Sequence, residues 1–152
     1  MTPRLNPFTT ANAAMKSCLD WSKSAQQLGL ENSLMELVKI RASQINGCAA
    51  CLYMHTTAAR QEGETETRLY MLSAWRESSL FSERERAALA WTEALTLLPD
   101  TQAPDDDYQL VQAQFTPEEQ VKLSLLIVAI NGWNRINVGF RATHPEEKRE
   151  AA

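Results

Sequence analysis

Glu36-Leu37-Val38-Lys39-Ile40-Arg41-Ala42-Ser43-Gln44-Ile45-Asn46-Gly47-Cys48-Ala49-Ala50-Cys51-Leu52-Tyr53-Met54-His55 reads as two helices separated by a break at Asn46-Gly47. The first begins after the cap candidate Asn32 and carries Leu34, Leu37, Val38, Arg41 and Ile45 at helical spacing. The second is expected from about Cys48 to Gln61, stopping at Gly63. At about 100° per residue, Cys48, Cys51 and His55 fall within roughly 60° of one another, so two sulfurs and an imidazole share one face. A hairpin turning about Gly47 sets residues at similar distances from the turn opposite each other. Glu36 is therefore expected near His55 and Thr57.

Outward from this hairpin the chain reads as helix throughout, with no convincing strand alternation and no internal repeat. A helix over about Thr10 to Leu28 carries a stripe of Ala14, Cys18, Trp21, Ala25 and Leu28, which predicts that Cys18 faces the core. A shorter one covers Thr65 to Trp75. Ser82 and Glu85 form a capping box for a helix with an inward stripe of Ala88, Trp91, Leu95 and Leu98, ended by Pro99. A short helix follows from about Asp105 to Gln114. Thr116-Pro117-Glu118-Glu119 then combines cap, first-turn proline and capping-box glutamate ahead of a long helix through Val121 to Ile130 and on to Phe140. That helix is apolar on nearly every side and is expected to be either the central buried element or half of a subunit interface. Residues after Thr143, His144 among them, read as a charged tail. The fold class is thus all-α, a single domain over 1–152 with about six to seven helices.

Composition excludes several partners. A formal net charge of -4, with scattered Lys and Arg, argues against nucleic acid or an anionic membrane surface. The apolar run from Val121 to Ile130 falls well short of the ~20 residues of a membrane span. The first residues, with Pro3, Arg4, Asn6 and Pro7, carry no apolar signal core, so a cytoplasmic location is expected.

Three cysteines in a chain without an export signal make the Cys48/Cys51 pair redox-active or metal-bound rather than a structural bridge. A tetrahedral metal site needs two further ligands, and only Cys18, His55 and His144 remain, so the redox reading is favoured, with no metal and no cofactor. A free thiol has a pKa of about 8.5 and needs activation. Cys48 in the first turn of its helix lies where unpaired N–H groups favour thiolate, and Cys51 precedes His55 by one turn, so the imidazole can take its proton. Glu36 then orients and charge-stabilises that imidazole. The bland alternatives are a structural histidine, a solvated glutamate and a core Cys18. Tyr53, Met54, Trp75 and Trp133 are candidates to line an apolar pocket near the thiols.

Glu36, eleven residues, then Cys48-x-x-Cys51-x-x-x-His55 resembles the core motif of the AhpD-like alkyl hydroperoxidases of the carboxymuconolactone decarboxylase superfamily. The flanking Leu37 to Gly47 and Asn131-Gly132-Trp133-Asn134-Arg135-Ile136-Asn137 are similar to family wording. The resemblance implies an all-helical fold and a homo-oligomer, a trimer or hexamer. It further implies a Cys48–Cys51 pair cycling between dithiol and disulfide while reducing hydrogen peroxide or an organic hydroperoxide, recharged by an external thiol or lipoyl-type reductant. Within it Cys51 matches the peroxide-attacking thiol, Cys48 the resolving thiol that meets the reductant, His55 the base and Glu36 its partner. The chain departs from some relatives at Ala50, where they hold a histidine, so proton shuttling at Cys48 rests on water or is weaker. The superfamily also implies a non-redox lactone decarboxylase as an alternative. A redox-sensing module whose oligomer state follows the disulfide is another.

Overall fold

The computed structural model describes residues 2–27 and 29–145. Among them nine α-helices and one 3-10 segment account for the regular structure: α1 (Pro7–Thr10), α2 (Asn12–Gln26), α3 (Asn32–Ile45), α4 (Ala49–Gln61), α5 (Glu66–Met71), the 3-10 turn Leu72–Glu77, α6 (Glu83–Thr96), α7 (Leu98–Thr101), α8 (Asp105–Gln114) and α9 (Pro117–Phe140). No strand occurs among the described residues. The count exceeds six to seven because the chain adds single-turn helices at Pro7 and Leu98. Pro99 lies in the first turn of α7 rather than ending α6, which closes at Thr96. Asn32 is the first helical residue of α3, whose cap position is Glu31.

α3 and α6 form the centre. Each is buried on two sides, one packing Leu34, Met35, Val38, Ala87, Ala88 and Trp91 into a core shared with α8 and α9, the other packing Leu37, Ile40, Leu89 and Ala90 against α4 and the 3-10 turn. α9 is therefore not the central element. Its Leu123, Leu126, Ile127 and Ile130 face inward, whereas Val121, Leu125, Val128 and Val138 remain exposed. Its three predicted start signals are in place, since Thr116 and Glu119 exchange side-chain to backbone bonds as a full capping box and Pro117 opens the first turn. The same device opens α6 at Ser82 and Glu85.

α2 corrects the predicted stripe. Met15, Ser22 and Ala25 are its buried residues, while Cys18 is exposed and Trp21 is 43% exposed. The helix is rotated about one position from the predicted face because Met15 and Leu19 outcompete Ala14 and Cys18 for the groove against α9, the long helix on which α2 mainly packs. Leu28, the last member of that stripe, lies outside the described residues, as does the tail from 146 onward. His144 is not simply tail, for its ring stacks on Tyr53 at 5.2 Å between centroids.

Candidate functional site

The turn between α3 and α4 sets the geometry. α3 ends in a Schellman closure: the Cys48 N–H donates to the Ser43 carbonyl at 3.0 Å and the Gly47 N–H to the Gln44 carbonyl at 3.3 Å. Gly47 sits at φ +64°, a left-handed conformation that favours glycine. The chain reverses immediately, and Cys48 becomes the N-cap of α4 rather than a first-turn residue. Its sulfur accepts the Cys51 backbone N–H at 3.4 Å, the position a serine or aspartate oxygen takes in an ordinary cap. Cys48 and Cys51 are joined as a disulfide with their Cα atoms 5.4 Å apart. Neither sulfur residue is open to solvent, at 1% and 0% exposure.

Cys51, His55 and Ala59 form the buried stripe of α4, one residue per turn, against α3. Across the hairpin His55 Nδ1 meets Glu36 Oε2 at 2.8 Å, as the position of the turn predicts. The other carboxylate oxygen accepts from Lys39 Nζ at 2.7 Å. Burial resists ionisation of Glu36 and is the largest single influence on it. The hydrogen bonds from His55 and Lys39 and their charges together outweigh that resistance, so the carboxyl titrates below its ordinary range. With Nδ1 engaged, Nε2 is the ring nitrogen left to exchange a proton.

α9 closes the site through three asparagines. Asn137 Nδ2 donates to Cys51 Sγ at 3.2 Å. Asn134, fully buried, donates to Ser43 Oγ at 3.0 Å and accepts from Asn46 Nδ2 at 2.9 Å. Asn131 accepts from the same Asn46 amide at 3.0 Å and donates to Thr96 Oγ1. Buried amides with this many partners fix the α3–α4 turn against α9. Lys39 and Asn137 were not singled out from sequence. The available signal was three asparagines at three-residue intervals within an otherwise apolar helix.

Beside His55 and Asn137 lies a cavity of about 410 Å³, walled by Phe8, Leu19, Met54, Leu126, Ile130 and Trp133 and reached by Lys23 and Lys39. Of the four aromatic and methionine candidates, Met54 and Trp133 line it. Trp75 instead belongs to the core on the far side of α3, and Tyr53 pairs with His144. No group of three or more His, Cys, Asp or Glu is placed to hold a metal ion among the described residues. No helix among them is long and apolar enough to cross a membrane.

The carboxymuconolactone decarboxylase family model matches residues 12–94. The uncharacterized protein YdfG of Bacillus subtilis is 43% identical over 140 residues, 92% of this chain and 95% of its own length. A solved protein of Agrobacterium tumefaciens, described as of unknown function and a candidate antioxidant defence protein AhpD, superposes with a TM-score of 0.93 at 43% identity, covering 95% of this chain and 99% of that one. The debrominase Bmp8, as a cysteine-to-alanine variant in complex with 2,3,4-tribromopyrrole, shares the fold at a TM-score of 0.80 and 15% identity, over 90% of this chain and 73% of its own.

Proposed function

Because the chain belongs to the carboxymuconolactone decarboxylase family and is AhpD-like within it, we propose that it is a thiol peroxidase and disulfide oxidoreductase working through Cys48 and Cys51. The observation that carries this reading is a closed Cys48–Cys51 pair whose Cys51 shares a buried stripe with an imidazole held by Glu36. In the dithiol form His55 takes the Cys51 proton, and the thiolate attacks the outer oxygen of a hydroperoxide. The O–O bond breaks, Cys51 becomes a sulfenic acid, and the departing alkoxide collects the proton from His55 to leave as alcohol or, from hydrogen peroxide, as water. The Cys48 thiol then attacks the Cys51 sulfur. Water leaves, and the pair, having given two electrons to the peroxide, rests as the oxidised disulfide. An external dithiol, lipoyl-type or protein-borne, reduces it by exchange.

The burial of both sulfurs means that reductant reaches them along the cavity or after local opening of the turn, so Cys48 is not a freely presented thiol. The Asn137 amide favours negative charge on Cys51 over Cys48, which supports Cys51 as attacking thiol in one half-cycle and leaving thiolate in the other. Asn137→Leu is expected to slow disulfide formation about tenfold at neutral pH and to move its pH profile upward, consistent with one charge-assisted hydrogen bond. An unmoved pH profile would remove Asn137 from the reaction.

The exposed Val121, Leu125 and Val128 stripe supports a homo-oligomer as the working form, and the family resemblance suggests a trimer or hexamer. The function itself is tested by thiol counting on the reduced protein. Stoichiometric peroxide is expected to consume two thiols per chain, with mass spectrometry locating the bond between Cys48 and Cys51 and leaving Cys18 free. Unchanged thiols, or a bond involving Cys18, would defeat the reading.

A further inference from the structure

Hydrogen peroxide has no apolar surface, yet the surface of the cavity beside His55 is mainly aliphatic and aromatic. Its volume of about 410 Å³ is at the small end of the roughly 300–1,000 Å³ of small-molecule sites, enough for one ring-sized body and not for a long lipid. Phe8 of α1 and Trp133 of α9 stack on each other at its wall, with ring centroids 6.2 Å apart and planes 7° from parallel. The ionisable groups on its lining are Lys23, Lys39 and His55, and no carboxylate is among them, in a chain of formal net charge -4.

The two lysines differ in what they can offer. Lys39 is buried and its ammonium is already matched by Glu36 at 2.7 Å. Lys23 is exposed and forms no ion pair among the described residues; Asp20, three positions earlier, feels its charge but is hydrogen-bonded by Lys16 at 2.8 Å. His55 is 7% exposed, so the lining pairs an exposed lysine, without an ion pair among the described residues, with a nearly buried imidazole.

We propose that this cavity takes a ring-sized apolar molecule bearing a carboxylate, held with the carboxylate at Lys23, the ring against Trp133 and Phe8, and its reactive group at His55 and Asn137. Resting on the peroxidase reading, the substrate is the hydroperoxide of such an acid, and the alcohol is the product. An anionic, apolar body gains from every part of this lining, whereas a neutral one forgoes Lys23 and a small peroxide forgoes the walls.

The test is calorimetry on the full-length disulfide form, which cannot turn over, using cumyl alcohol with a para carboxylate and the same alcohol with a para carboxamide. The carboxylate is expected to bind about fivefold more tightly, and Lys23→Gln to bring the ratio of the two affinities to about one. Equal affinities in the parent protein, no binding of either, or a ratio untouched by Lys23→Gln would each overturn the assignment. A second arm mixes the reduced protein with the para-carboxylated cumyl hydroperoxide and with hydrogen peroxide. Oxidation by both with no preference overturns the ligand class and leaves the peroxidase function intact. Tight binding of the carboxylate alcohol with no oxidation by either peroxide overturns the peroxidase function and leaves the ligand class standing.

Discussion

Cys51→Ser is expected to abolish peroxide turnover, a loss of at least about a hundredfold, because it removes the only thiol that stands both one turn before His55 and against the Asn137 amide. A serine hydroxyl keeps the shape and a hydrogen-bonding partner for Asn137, so the fold is retained and loss of rate reports chemistry. Cys18→Ser is the matched control. Cys18 is exposed on α2, away from the stripe that carries Cys51 and His55, and its replacement is expected to leave rate and stability unchanged. The measurement is peroxide consumption under a regenerating dithiol. Parent-like turnover by Cys51→Ser would mean that Cys51 is not the attacking atom.

Glu36→Gln carries the second large effect, and it acts on stability as well as rate. Among the described residues the carboxylate is the one ion-pair partner of the Lys39 ammonium, and it also fixes the His55 ring. Lys39 and Glu36 side chains are only 7% and 12% exposed, so a neutral amide leaves a buried cation without its counter-charge, a cost of about 3–5 kcal/mol. The pH dependence follows from the direction of the Glu36 shift. Its folded pKa is depressed, so its contribution is present above the unfolded carboxylate pKa and is lost as pH falls through the folded one. Urea unfolding of parent and variant should therefore show a wide stability gap at neutral pH that narrows on acidification. A gap that stays constant into the acid range would show that Glu36 is not the charged partner.

The hairpin was legible because its signals are local. Asn46-Gly47 allows the left-handed closure, and counting outward from Gly47 brings Glu36 to His55. The capping boxes at Ser82 and Thr116 were legible for the same reason, each being written within four residues. What sequence did not disclose depends on which competing face wins. α2 offered two apolar stripes, and only packing on α9 chose Met15 over Cys18. α9, with the most apolar composition, was expected either at the centre or in a subunit interface, and α3 and α6 hold the centre because they are enclosed from two sides. Lys39 was hidden by its residue type, since lysine is normally solvated and becomes readable as a site residue only once its Glu36 partner is seen. Asn137 was hidden by distance, lying 86 residues from the sulfur it touches.

The asparagine ladder bears on portability. Grafting Glu36 through His55 onto a different helical pair would carry both sulfurs, the imidazole and its carboxylate, but would cut the Asn46 amide and the Ser43 hydroxyl off from Asn131 and Asn134, leaving them only the Ala42 and Lys39 carbonyls of their own helix. The smallest transferable unit is thus a three-helix cassette of α3, α4 and the second half of α9, and anyone borrowing this redox centre for a new scaffold must bring the distant helix along.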